Sequence, residues 1–237
     1  MMTNRRFSAS IAAAILLVAV FIFAAGICRA AEDTDGDGYG DAEEIANGYS
    51  PYNPEAVSSG ESDMDEDGLS DHWENIFGTD PFQADTDGDG YGDFQELDRA
   101  YDPRSPEPKR LSQRVDVDRQ KQQMIYVLDG KAWQIWRVST GRSGMATPAG
   151  EFKVVNKSLK PWSRSYGLWM PYWLGLGGSG LRNGSIGIHE LPVWPGGYRE
   201  GEDHLGKPVS HGCIRLGIGP AQYLYERVPV GTVVVIN

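Results

Sequence analysis

Three stretches of this 237-residue chain repeat one spacing. They place Asp33, Asp35, Asp37, Gly38, Asp41 and Glu44; then Asp63, Asp65, Asp67, Gly68, Asp71 and Glu74; then Asp85, Asp87, Asp89, Gly90, Asp93 and Glu96. In each, carboxylates fall at positions 1, 3, 5, 9 and 12 of a loop, and glycine falls at position 6, where the turn is sharpest. A hard cation such as Ca²⁺ takes six to eight oxygen ligands, and a calcium loop supplies them at this spacing. Five carboxylates so close repel one another unless a cation sits among them. All of these acids are candidate calcium ligands, and the metal would do much of the folding work in a region that lacks a large apolar core.

The competing reading is a solvated acidic linker without metal. Three loops with every fixed position filled weigh against it. Successive loops start 30 and then 22 residues apart, and Gly78-Thr79-Asp80-Pro81 ends any helix after the second. Helical material is therefore short, as over Asp71 to Phe77. Residues 31–103 resemble the thrombospondin type 3 repeats of bacterial exported proteins, which implies a loop-rich calcium-binding region.

Charge divides the chain. Residues 31–108 hold 24 acidic side chains against Arg99 and Arg104, whereas residues 109–237 are net basic by 8. Two different physical objects are implied. The acidic part excludes nucleic-acid binding, and the basic part has no dense Lys/Arg run to support it. Residues 104–111, with Pro106 and Pro108, read as a stiff proline-rich junction.

Residues 1–30 read as a targeting segment. Arg5 and Arg6 precede an apolar run from Ala9 to Ile27 broken only by Ser10 and Gly26, and Cys28 and Ala30 are small residues suited to a signal peptidase. At 19 residues the run also approaches a membrane span, so an uncleaved anchor at residues 9–27 is the alternative. Ile27 disfavours lipidation at Cys28. Either way the body of the protein is expected outside the cytoplasm, in the periplasm or cell wall.

The basic part, residues 112–237, reads as mostly β. Val115 and Val117 alternate with polar neighbours, and Met124 to Leu128 is a strand. Asp129-Gly130 is a hairpin turn leading into Trp133 to Val138. Glu151 to Val155 and Thr232 to Ile236 are further strands. One short helix is bounded by Pro220 and Pro229. The glycine-rich stretch from Gly167 to Gly201 reads as long loops. Trp162, Trp169, Tyr172, Trp173 and Trp194 read mainly as packing residues, with Tyr172 and Trp173 as candidates for the wall of a polymer groove.

Cys213 is the one cysteine beyond the targeting segment. An unpaired thiol in an exported chain is a liability or a reactive group. His211 and His189 supply bases that take its proton. Gly212 lets backbone approach a reacting carbonyl, and amides at Gly212 and Cys213 are candidate oxyanion donors. His204, among Glu202, Asp203 and Lys207, reads as a solvated loop residue, and His72 as a helix-surface residue of the repeats.

Four segments carry a resemblance to the L,D-transpeptidase catalytic domain of the YkuD type. They are Val138-Ser139-Thr140-Gly141, Thr147 to Phe152, Gly187-Ile188-His189, and Ser210 to Leu216. The resemblance implies an exported enzyme that acylates a cysteine with a peptidoglycan stem peptide and passes the acyl group to an amine, with no cofactor for catalysis. It makes Cys213 the nucleophile and His189 its base, oriented by the Glu190 carbonyl. His211, Ser210 and Gly212 then shape the oxyanion and substrate site, and Arg215 holds a substrate carboxylate or braces the loop. Two departures stand out. Some members carry Asn where Arg215 stands, and the 20 residues between His189 and Ser210 slightly exceed the commonest spacing. The acceptor stays open between a second stem peptide, a lysine of a wall-anchored protein, and water, which would make a carboxypeptidase or endopeptidase. The reading from another class is a calcium-dependent wall-binding or adhesion protein with an inactive β domain.

Overall fold

The structure, a computed structural model, describes residues 32–237. The targeting segment expected at residues 1–30 lies outside the described residues. Among those described, no helix is long and apolar enough to cross a membrane.

The protein is mostly β, with a few short helices. Three of these, α1 (Asp41–Asn47), α2 (Asp71–Phe77) and α3 (Asp93–Asp98), belong to the acidic repeats, and each begins at position 9 of its loop. The basic part builds an eight-stranded sheet. Its strands are β1 (Gln113–Asp118), β2 (Gln123–Leu128), β3 (Lys131–Arg137), β4 (Gly150–Ser158), β7 (Trp173–Gly178), β8 (Leu181–Glu190), β9 (Ile214–Leu216) and β10 (Val233–Ile236). The order is β3-β2-β1-β10-β4-β7-β8-β9, and a two-stranded hairpin, β5 (Trp162–Ser163) with β6 (Leu168–Trp169), stands apart from it. β1 pairs parallel with β10, and β8 parallel with β9; the other neighbours are antiparallel.

Period-two patterning explains the buried face. Val115 and Val117 of β1, Met124, Tyr126 and Leu128 of β2, Phe152 and Val154 of β4, and Val234 and Ile236 of β10 are all buried. Their register is matched, Val115 opposite Tyr126 and Val234, and Val234 opposite Phe152. Asp129 and Gly130 both take positive φ, 46° and 80°, which suits the two-residue hairpin turn between β2 and β3. Helix α4 (Pro220–Arg227) starts on its proline and buries Ala221 and Leu224.

The stretch from Gly167 to Gly201 departs from the loop expectation, because it contains β7 and β8. Its glycines mark close packing. A Cβ on Gly187 would sit 2.6 Å from the Leu174 carbonyl oxygen and 2.7 Å from the Trp173 ring. The strand therefore needs the smallest residue on that face, although glycine weakens strands intrinsically.

The repeats also depart from expectation, since they share the core of the sheet domain. Leu69, Phe77, Leu97 and Ala100 belong to the same buried apolar cluster as Val115, Leu128 and Leu224. Trp133 of β3 is nearly enclosed, with ring centroids 5.4 Å from Trp73, 5.5 Å from Phe77 and 6.4 Å from Phe94. Its indole N–H donates to the Tyr223 hydroxyl of α4 at 3.0 Å. Arg227 of α4 donates through Nε to the Asp98 carbonyl at 2.7 Å and pairs with the Asp98 carboxylate. The proline-rich junction folds back on itself. The buried Asp102 carboxylate pairs with Lys109 at 2.8 Å and Arg104 at 3.2 Å, and the Leu111 amide donates to the Ala100 carbonyl.

Candidate functional site

Cys213 immediately precedes β9, and His189 lies near the C-terminal end of β8. The parallel register Ile188↔Ile214 sets the two strands side by side. Cys213, His189, His211 and Arg215 then line one pocket of about 340 Å³. Cys213 is partly exposed, with its thiol opening onto this pocket.

Local bonding fixes the turn that presents the thiol. Gly212 takes φ +111°, a conformation L side chains rarely adopt. Its carbonyl accepts from Thr147 Oγ1 at 2.8 Å, and Thr147 Oγ1 accepts from the Gly141 amide at 2.9 Å. The Ser210 hydroxyl donates to the Cys213 carbonyl at 2.5 Å and accepts from the Gly212 amide at 3.1 Å. Ser139 to Gly141 flank the same loop: the Ser210 amide donates to the Thr140 carbonyl and the Arg142 amide to the Ser210 carbonyl. The four segments singled out in the sequence thus converge on one turn.

Electrostatics favour a neutral pair. His189 Nδ1 lies 2.6 Å from the Glu190 carbonyl oxygen, so Nδ1 carries the ring proton and Nε2 keeps its lone pair. Burial pushes His189 down to about 4; the Glu190 carbonyl opposes this and the Arg215 charge adds to it. Burial pushes the Cys213 thiol above its ordinary value, against a backbone hydrogen bond from Gly187 and the Arg215 charge. Trp173 stacks on His189 with ring centroids 5.9 Å apart. His211 is exposed and lies against Tyr166 of the β5–β6 hairpin, 4.8 Å between centroids. Burial followed by the charges of Arg142 and Arg215 holds it below the ordinary histidine value.

Three expected residues sit differently from a simple substrate-site reading. The Gly212 amide is engaged by Ser210 Oγ. Arg215 is buried and donates to Glu200 Oε1 at 2.8 Å, so it braces the loop, and its Nε lacks a partner. Tyr172 turns away from the pocket; its hydroxyl donates to Gln222 Oε1 of α4 at 3.1 Å and its ring lies 5.7 Å from Tyr225. Trp173, the next residue, lines the pocket in its place. Trp162 and Trp169 pair face to edge on the hairpin. Glu200, Tyr166 and Arg182 escaped the sequence reading, because none lies in a spaced motif.

The acidic loops hold a second constellation. In each, the acids at positions 1, 3 and 5 bring one oxygen apiece to within 4.8 Å of one another. Asp35, Asp65 and Asp87 each keep one carboxylate oxygen buried without a hydrogen-bond partner, as do Glu44, Glu74 and Glu96 at position 12. Burial, then neighbouring carboxylates, pushes Glu74 up to about 8 and Glu96 up to about 7. Position 9 behaves otherwise. Asp41 accepts from the Thr34 amide and hydroxyl, Asp93 from the Thr86 amide and hydroxyl, and Asp71 from the Met64 amide and the Ser50 hydroxyl. Those three acids close their loops, while positions 3 and 12 of every loop, and Asp63 at position 1 of the second, keep a buried oxygen without a partner beside the clustered acids of positions 1, 3 and 5, a donor set that fits a hard cation.

Two family matches fall on this chain. Residues 112–236 match the L,D-transpeptidase catalytic domain family (YkuD), and residues 33–48 and 63–84 match the bacterial TSP3 repeat. Bacillus subtilis (strain 168) YqjB, named as an L,D-transpeptidase, is 32% identical over 131 residues, which cover 52% of this chain and 70% of that protein. YciB of the same organism, likewise named, is 31% identical over 140 residues, 56% of this chain and 69% of that protein. Among solved structures, an L,D-transpeptidase from Stackebrandtia nassauensis shares 30% identity with a TM-score of 0.43, covering 53% of this chain and 55% of that one. One from Mycobacterium smegmatis shares 21% with a TM-score of 0.43, covering 55% and 60%. The chain thus spans less than two thirds of the length of those two. With the family match extending over more than half of its residues, this chain belongs to the L,D-transpeptidase catalytic domain family.

Proposed function

We propose that the protein is an exported, cysteine-dependent L,D-transpeptidase acting on peptidoglycan stem peptides. The observation that carries this reading is the pocket shared by Cys213 and His189, with His189 Nδ1 committed to the Glu190 carbonyl. A neutral imidazole with a free Nε2 is a general base for a thiol. Cys213 Sγ attacks the carbonyl of the L-centre before the terminal D-residue while His189 Nε2 takes the thiol proton. The Cys213 amide stabilises the oxyanion, since the Gly212 amide is already engaged. The C–N bond then breaks, the His189 proton passes to the departing amine, and a thioester remains. An amine of a second stem attacks the thioester; His189 removes its proton and returns it to sulfur as the new amide forms.

In the repeats, Asp33, Asp35, Asp37 and Glu44, with their counterparts in the other two loops, would hold one Ca²⁺ per loop. The ion supplies charge neutralisation among the carboxylates, which permits the loop to close.

Mass spectrometry of tetrapeptide stems incubated with the protein, with and without a second stem, tests the enzymatic reading. The expected species are a Cys213 thioester adduct and, with the acceptor present, a cross-linked dimer. Hydrolysed tripeptide alone would make water the acceptor. An absence of adduct with both stem peptide and carbapenem would leave a non-catalytic wall-binding protein.

A further inference from the structure

The walls of the Cys213 pocket carry charge of one sign. Arg182 and Arg215 line it, and no Asp or Glu does. Arg215 is neutralised by the buried Glu200. Arg182 is exposed and, among the described residues, makes no hydrogen bond or ion pair. It is therefore the uncompensated cation of the pocket.

The backbone places it there by an irregularity. Arg182 and His189 lie seven residues apart on β8, an odd interval, so a regular strand would point them to opposite faces. The pairing of β7 with β8 slips between these residues. Leu176 faces Ile186 and Gly178 faces Leu181, so two steps along β7 match five along β8. Gly184, at φ +69°, lies within the extra length. Bulges of this kind re-aim side chains beside active sites. Here the slip lies between Arg182 and His189, and both side chains line the one pocket.

Distance selects which group Arg182 meets. Three strand residues carry β8 from His189 to Ile186, and two steps of β7, from Leu176 to Gly178, match its course on to Leu181, so the Arg182 backbone stands roughly 15 Å from that of His189 and its guanidinium lies away from the scissile carbonyl. The carboxylate of the leaving residue lies within about one residue, ~4 Å, of that carbonyl and is too close to Cys213 to be the partner. An acidic group further back along the acyl donor meets the requirement.

We propose that Arg182 is a specificity residue that holds a free carboxylate of the acyl-donor peptide upstream of the bond Cys213 attacks, so that the site prefers acidic stems to amidated ones. This rests on the stem-peptide reading above. Arg182 acts by binding and does not touch the reacting atoms.

The test uses the full chain and two tetrapeptide stems, one with its upstream carboxylates free and one with them amidated. In turnover, Arg182→Gln is expected to raise KM for the acidic stem roughly 10-fold or more, the usual cost of a charged hydrogen bond. It should leave kcat and the amidated stem near their starting values, and Arg182→Lys should recover part of the loss. Carbapenem acylation of Cys213 is expected to be unchanged in Arg182→Gln, which shows that the nucleophile is intact. Equilibrium binding to Cys213→Ala, with and without Arg182→Gln, reads the same preference without chemistry. A preference in binding that disappears with Arg182 supports the assignment even if no turnover is found, in which case the enzymatic reading alone fails. Equal binding of the two stems, or equal losses for both on Arg182→Gln, overturns it.

Discussion

His189 carries the sharpest expectation at the residue scale. Its lowered value, about 4, means that the deprotonated, active form persists as the pH falls and is lost only as the pH passes through that value. At pH 5 about 90% of such a base is neutral, against about 3% for an ordinary histidine. The acid limb of kcat/KM for acylation is therefore expected near pH 4, and a limb near pH 6.5 would show that the active base is not held as the structure holds it. His189→Ala is expected to slow acylation roughly 10²–10⁴-fold, the share typical of a general base; a loss below tenfold would move the role to His211. Cys213→Ala should fold and form no adduct with stem peptide or carbapenem, as read by intact mass. Of these residues Cys213, His189 and His211 stood out in the sequence, because a lone thiol with two histidines is chemically conspicuous. Arg182 and Glu200 did not. Their importance comes from a strand bulge and a loop crossing, and neither leaves a mark in residue spacing.

The elements around the thiol are held by few contacts, and one of them is a hydroxyl. Thr147 Oγ1 joins the Gly212 carbonyl to the Gly141 amide. Thr147→Val keeps the shape and deletes both bonds, so a fall in kcat with stability lowered by about 1–3 kcal/mol is expected, measured by denaturant unfolding beside acylation rates. Unchanged kinetics would mean that Gly212 holds its turn without this brace. The hairpin β2–β3, the alternation in β1 and the proline-bounded α4 were all readable from the chain, since each is decided by local patterning. Strands β7 and β8 were not. Their glycines at Gly175 and Gly187 suggest loops until the side chains of Asn156 and Trp173 are seen to fill the space that a Cβ would need. The hydrogen bonds of the acids at position 9 were not legible for a related reason. A carboxylate that accepts from an amide and a hydroxyl has the same one-letter code as one that waits for a cation.

On the scale of the whole molecule, the repeats and the sheet share one core, so a cation held in the repeats is expected to bear on the stability of the sheet. No pocket residue comes from residues 32–108, so residues 109–237 are expected to keep activity on soluble stem fragments. That fragment would also expose Trp133, which Trp73, Phe77 and Phe94 cover in the whole chain. Trp133→Ala in the whole chain is expected to cost about 3–5 kcal/mol, the range for a buried tryptophan. Calcium at millimolar concentration should raise the unfolding temperature of the sheet domain as well as ordering the repeats, because whatever binds the folded form stabilises everything that unfolds with it. Calorimetry with and without a chelator decides this: a sheet-domain transition insensitive to calcium would uncouple the two parts. The sheet has a further consequence in time. β10 lies between β1 and β4, pairing Val115 with Val234 and Phe152 with Val234 across the middle of the sheet. Two halves of the sheet, β3-β2-β1 and β4-β7-β8-β9, are therefore joined through a strand that leaves the ribosome after all of them, and otherwise by the bridge from Ser139, just after β3, to Arg215 of β9. Until residue 236 is free, β1 and β4 each present an open edge. Closure of the sheet is thus a late event in the life of the chain, set by a pairing between residues more than a hundred positions apart, Val115 with Val234.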